Sequence, residues 1–263
     1  MRHAFAGDRL FGLERLIALA AELPPESVVA RDGRVPPAFG ALAPVNSRPG
    51  AEVTATIAEG HDKVQLYSMQ RLPAYTELVG DAVAQVAPVV AAQEGPPEWS
   101  YAIMMLASPR TVVPVHFDVH HVLLFQVTGT KRLSVGRFGH PALQQREIER
   151  FFGTAHCCPT TLPTEDRQTF VLGPGDGVYI PPYTFHWVEG ADEVAIAFGC
   201  GFGTALTFRT EAVHRFNARV RALGMPARPP GVSTGRDRAK AAAVKGGPAL
   251  RRLPGRVARR IRR

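Results

Sequence analysis

Cysteine is scarce: the 263 residues hold three, two of them adjacent at Cys157 and Cys158. That number and spacing exclude a disulfide framework, so a reduced, cytoplasmic protein is expected. Long hydrophobic runs are missing too. No apolar stretch approaches the roughly 18 residues that a membrane span needs, and none is expected. Residues 1–9 lead into a charged amphipathic stretch without the apolar centre of a signal peptide. No glycine-rich phosphate loop or nucleophilic triad signature stands out, so nothing points to nucleotide or acyl transfer.

Acid is nearly absent from one region. Residues 225–263 carry twelve Lys or Arg and a single acid, Asp237. The whole chain has 31 basic and 23 acidic side chains, so the remainder holds 19 and 22 and is mildly acidic at −3. A basic segment of this kind is expected to be a disordered tail, able to contact nucleic acid or another polyanion. It has no aromatic residue, which argues against a stacking platform for single strands.

Hydrophobic residues make up 45% of the chain, enough for a full core. Residues 9–22 are expected to be helical, with Leu10, Leu13, Leu16, Ile17 and Ala20 on one stripe, Asp8 as N-cap, and Pro24-Pro25 as the stop. Residues 30–50 read as an irregular connection, and Leu72–Gln93 as a helix broken near Pro88. From Tyr101 the texture changes to short β-rich runs: 101–107, 111–118, 121–127, 131–135, 169–172, 177–180 and 194–200. Thr128-Gly129-Thr130 is a hairpin signal. Strands at this spacing predict a sandwich or barrel, mainly β, with N-terminal and C-terminal helices. An insertion over 139–167 carries a helix near 142–152. Arg209–Leu223 is a further helix, whose stripe of Val213, Phe216, Val220 and Leu223 packs on the barrel or forms a homodimer contact.

The chemistry concentrates in Val115-His116-Phe117-Asp118 and, seventy residues on, in Pro181-Pro182-Tyr183-Thr184-Phe185-His186-Trp187. Side chains alternate along a strand, so His116 and Asp118 point the same way and can chelate one ion. A distant histidine, His186, is expected to complete the set from a strand facing them across the barrel. Two histidines and one carboxylate bind a metal by one face and leave the other positions open. An isolated His-x-Asp also occurs as a plain hydrogen-bonded pair, so the surrounding pattern decides. His120 is expected to be an exposed loop histidine, with a role beside the substrate as the alternative. Trp187 is expected at the barrel mouth. His156-Cys157-Cys158 lacks the spaced partner pair of a zinc site.

The runs Pro114–Arg132 and Gly175–Trp187 resemble the two metal-site blocks of cupin-like JmjC oxygenases, in a pattern similar to the asparaginyl hydroxylases among them. The resemblance covers roughly residues 65–205. The stretch 217–238 is similar to bacterial cupin-like proteins of the jumonji type. The resemblance implies a double-stranded β-helix (cupin, jelly-roll) core, Fe(II), and 2-oxoglutarate as cosubstrate. His116, Asp118 and His186 match the metal ligands. Lys131 matches the lysine that pairs with the distal carboxylate of 2-oxoglutarate. Its alternation with Leu133 and Val135 agrees, because a lysine on an apolar face is costly unless it meets an anion. Tyr67 resembles a tyrosine that assists the same carboxylate, with a core tyrosine as the alternative. Two departures stand out: Val113 and Val122 occupy positions where relatives carry Thr and Asn.

The expected organisation is a segment over 1–95 packing on the core, a barrel over 96–208, a helix over 209–224 and the basic tail over 225–263. The expected function is an Fe(II)- and 2-oxoglutarate-dependent hydroxylase of a protein or peptide side chain or of a small metabolite. The alternatives are a metal-binding cupin that acts as a binding or regulatory module, and an RNA- or ribosome-associated hydroxylase recruited by the tail.

Overall fold

The computed structural model describes residues 1–154 and 158–246. Ten strands build two antiparallel sheets. They are β1 Val28–Asp32, β2 Asp62–Tyr67, β3 Pro97–Ala107, β4 Val112–His116, β5 His121–Thr128, β6 Lys131–Arg137, β7 Glu165–Leu172, β8 Gly177–Ile180, β9 Phe185–Gly190 and β10 Ala195–Thr204. The larger sheet runs β1-β2-β3-β10-β5-β8 and the smaller β4-β9-β6-β7. The strand spacing predicts a sandwich or barrel, and the two sheets form one with the jelly-roll core that the resemblance implies. Six helices accompany it: α1 Leu13–Glu22, α2 Gly50–Ala55, α3 Pro73–Glu94, α4 Pro141–Thr154, α5 Ala205–Ala222 and α6 Thr234–Gly246.

The period of two along each strand sorts side chains between two environments. On the large sheet Met104, Leu106, Leu123, Phe125, Ile196, Phe198 and Phe202 face one way, into a cluster with Leu16 and Leu19 of α1 and Val79 and Ala82 of α3. Burying a phenylalanine such as Phe198 contributes about 2–3 kcal/mol by area, so this face anchors the helices. The opposite face carries Val122, Leu124 and Ala197, which meet Leu133, Leu172 and Val188 of the small sheet. Strand β10 shows the sorting most plainly. Its large residues point to the helices, and Gly199, Gly201 and Gly203 line the barrel. A Cβ on Gly201 would sit 2.1 Å from the Tyr101 ring, so glycine makes room for that tyrosine.

Several expectations change. The segment over 1–95 is not merely packed on the core: β1 and β2 belong to the large sheet, and β2 pairs with β3 from Lys63↔Ala107 to Tyr67↔Ile103. The boundary at 96 therefore cuts through a hydrogen-bonded sheet. Asp8 caps a 3-10 turn at Arg9–Phe11, and the α-helix begins only after Gly12. Helix α3 runs unbroken through Pro88. The proline and Ala84 one turn earlier are both exposed, so water can serve the carbonyl that Pro88 leaves without a donor. On α5 only Val213 of the expected stripe is buried, and Leu223 is 75% exposed. The buried line instead includes Thr207, His214, Asn217 and Ala218.

That polar line has a reason. Glu149 of α4 is buried and accepts from Asn217 Nδ2 at 3.0 Å and Gln145 Nε2 at 2.6 Å, and pairs with Arg221. Lys240 Nζ of α6 donates to Asn217 Oδ1 at 2.8 Å. Part of the expected tail is thus a folded helix with Asp237 and Ala241 buried, and its charge run hid a single packed face. The rest of the basic segment, with the polyanion contact expected of it, lies at 247–263, outside the described residues, as do His156 and Cys157. Glu149→Ala strands one cation and two amides, and is expected to cost about 2–4 kcal/mol. Urea denaturation would measure the loss, and a change under about 0.5 kcal/mol would show that the network adds nothing.

Candidate metal centre

His116 closes β4 and His186 is the second residue of β9, and the two strands pair antiparallel with His116 directly opposite His186. Their rings lie 4.3 Å apart between centroids. The third candidate ligand therefore sits on the neighbouring strand, not across the barrel as expected. Cross-strand partners have adjacent Cβ atoms on one face, which brings two imidazoles together without any long loop. Asp118 follows two residues after His116. Its carbonyl accepts from the Tyr183 N–H at 2.8 Å, tying the loop after β4 to the turn before β9. Tyr183 takes φ +61, a left-handed conformation costly for a bulky side chain, just after Pro181-Pro182. This turn reverses the chain so that β9 starts in register with β4.

One donor atom from each of His116, Asp118 and His186 lies within 4.8 Å of the others. Both rings are oriented by their own backbone. His116 Nδ1 is 2.8 Å from the Pro114 carbonyl, and His186 Nδ1 is 2.9 Å from the Thr184 carbonyl. A carbonyl only accepts, so each Nδ1 carries a proton and each Nε2 is the ring atom left to face a metal. His186 Nε2 is 3.7 Å from Asp118 Oδ2. Burial first, and then His186, push the pKa of His116 down to about 3, so the ring stays neutral as a metal ligand must. Two imidazoles whose donor nitrogens converge beside a carboxylate fit a divalent cation. Among the described residues no other group of three His, Cys, Asp or Glu converges in this way.

Lys131 opens β6 and is 7% exposed, on the same face as Leu133. Burial, followed by the charge of Lys63, lowers its pKa to about 7. No acid acts on it among the described residues. Val113 pairs with Val188 and Val122 with Ile180, so both departures from the family pattern face this interior. Tyr67 alternates with Leu66, which is buried on the helix side, and so points into the barrel. It acts on Tyr101, a residue the sequence reading missed. Tyr101 is fully enclosed, and its pKa is pushed far up by burial, then by Asp118 and Tyr67. The Gly-x-Gly-x-Gly rhythm of 199–203 was the available signal, since it marks a strand face that something bulky approaches.

Other expectations are corrected. His120 is no exposed loop residue: it packs among Trp99, Tyr101 and Phe208, with Nε2 3.9 Å from Glu211. His121 faces the helix side, between Glu94 at 3.0 Å and Tyr179 at 2.7 Å, stacked on Phe202. Trp187 does not line the mouth. It is buried on the far face of the small sheet beneath the Arg167 guanidinium, 5.2 Å from its centroid.

Residues 98–209 match a family described as the JmjC domain. Jumonji C domain-containing protein 5 of Drosophila melanogaster is 33% identical over 106 residues, 35% of this chain and 26% of the fly protein. The chain thus aligns with about a quarter of the length of that curated relative. Among solved structures, the ribosomal oxygenase YcfD of Escherichia coli, in complex with cobalt and 2-oxoglutarate, is 18% identical with a TM-score of 0.48. That match covers 92% of this chain and 62% of the other. The DMSP lyase DddQ of Ruegeria pomeroyi DSS-3 is 19% identical with a TM-score of 0.28, over 42% and 43% of the two chains. No helix among the described residues is long and apolar enough to cross a membrane.

His186→Ala or Asp118→Ala is expected to weaken Mn(II) binding by at least about 100-fold, as measured by calorimetry. His121→Ala should leave the affinity unchanged. Retained binding in both ligand variants would place the metal elsewhere.

Proposed function

From the match of residues 98–209 to the JmjC domain family, we propose that the chain is an Fe(II)- and 2-oxoglutarate-dependent hydroxylase. His116, Asp118 and His186 are its metal ligands, and Lys131 and Tyr67 hold the cosubstrate. The observation that carries the proposal is Lys131, a lysine buried on the same sheet face as His186, whose charge is disfavoured by burial and which no acid acts on among the described residues. A buried amine of this kind takes up its proton, and is stabilised as a cation, when an anion enters. The alternative of a metal-binding module without turnover leaves such a lysine without a purpose.

When bound, ferrous iron would supply open positions for 2-oxoglutarate and dioxygen, so that 2-oxoglutarate loses carbon dioxide and takes one oxygen atom as succinate while the other enters a C–H bond as a hydroxyl. The protein's residues do the rest. The carbonyls of Pro114 and Thr184 keep the imidazoles aimed inward. Lys131 draws the distal carboxylate to the far end of the interior, which orients the 2-oxo acid end toward the ligand triad. Leu133, Leu172, Val188 and Ala197 keep that space dry, so the charged contacts act at low dielectric. A protein or peptide side chain is the first substrate class to test, and a small metabolite the second.

The test is succinate release from 2-oxoglutarate in air with Fe(II). The wild-type protein is expected to release succinate, slowly without substrate and faster with it. Lys131→Met should weaken 2-oxoglutarate binding roughly ten- to hundredfold, the loss of one charge-assisted contact, and leave metal affinity intact. Equal loss of both would make the lysine structural, and no succinate under any condition would overturn the proposal.

A further inference from the structure

Helix α5 presents a face that the metal centre does not use. Leu206, Arg209, Thr210 and Val213 are spaced as one stripe of a helix. Together with Pro230 and the first turn of α6 they line a cavity of about 260 Å³. His116, Asp118, His186 and Lys131 take no part in it. The volume lies below the roughly 300 Å³ at which pockets for drug-sized ligands begin, so the occupant it suits is small.

Two opposite charges line this space without meeting. Arg209 is half-buried and Asp237 is 7% exposed. Neither forms an ion pair with the other or with any other described residue. Asp237 is held in place by the loop that joins the two helices. Its Oδ2 accepts from the Gly231 N–H at 2.8 Å, where Gly231 takes φ +87. A carboxylate so held still has a second oxygen to offer. Leu206, Val213 and Pro230 supply an apolar wall. A guanidinium and a carboxylate kept apart in one partly dry space are both stabilised by a molecule that carries the complement of each.

We propose that this cavity binds a small α-amino acid with an apolar side chain. Its carboxylate meets Arg209, its ammonium meets Asp237, and its side chain lies against Leu206, Val213 and Pro230. Occupancy joins α5 to the first turn of α6, a pair of helices already linked by the contact of Lys240 with Asn217. The site shares no residue with the metal centre, so the inference does not depend on the 2-oxoglutarate reading.

Calorimetry on the full chain tests the inference with L-leucine and two analogues that each lack one charge. L-leucine is expected to bind at least about tenfold tighter than isocaproate, which lacks the ammonium, and than isoamylamine, which lacks the carboxylate. That is the scale of one charge-assisted contact in each case. Arg209→Gln should lower leucine affinity to that of isoamylamine. Asp237→Asn, whose amide oxygen can still accept from Gly231, should lower it to that of isocaproate. Both variants should keep the wild-type Mn(II) affinity, which checks the fold. A wild-type protein that binds no leucine at millimolar concentration, or binds it no tighter than the analogues, would overturn the inference. Unchanged leucine affinity in Arg209→Gln would do the same, since it places the amino acid elsewhere.

Discussion

Antiparallel pairing of β4 with β9 sets His116 opposite His186, and the rest of the site is arranged around that contact. The pairing of His116 with His186, after a register irregularity between Val113 and His116, sets the spacing of the two imidazoles, and two backbone carbonyls orient their Nδ1 atoms. No flexible side chain has to be recruited. The cost of the turn that makes the register possible is taken by Tyr183, held left-handed after two prolines and tied to the Asp118 carbonyl. Strain of this kind persists where the surroundings determine the backbone. Here Phe117 and the α5 residue His214 pack on the Tyr183 ring.

The two faces of the large sheet divide stability from chemistry. The helix-side face buries most of the large apolar residues. The barrel face is left to small residues and to polar groups whose burial is costly. Gly201 yields its space to Tyr101, and alternation sends Lys63, Gln65 and Tyr67 inward. Stability supplied by the outer face can support an interior in which Lys131 sits with no acid acting on it among the described residues. Burial and Lys63 together hold its pKa near 7.

Much of this was legible in the chain, for reasons that differ by residue. His116 and Lys131 fall in strands, so their direction followed from period two, and Asp118 lies just past the end of β4 yet still converges with His116. His186 was singled out together with His116 and Asp118, and the three do converge, but its partner strand was not foreseen. Phe185–Gly190 buries both faces at its start, so it shows neither alternation nor a contiguous apolar run. Strand β2 does alternate, as Lys63-Val64-Gln65-Leu66. Polar positions of such a strand ordinarily read as the solvent side, and here that side faces the barrel. Helix α6 was missed for a related reason: a run of arginines and lysines reads as solvated, although Asp237 and Ala241 are buried.

The central claim is that one interior holds a divalent metal and a dicarboxylate together. Anaerobic titration tests it most directly, with Fe(II) added first and then 2-oxoglutarate while visible absorption is followed. The account predicts a metal-to-ligand charge-transfer band that grows to saturation with 2-oxoglutarate and is absent from His186→Ala. A wild-type protein that binds Fe(II) yet shows no such band at saturating 2-oxoglutarate would contradict it.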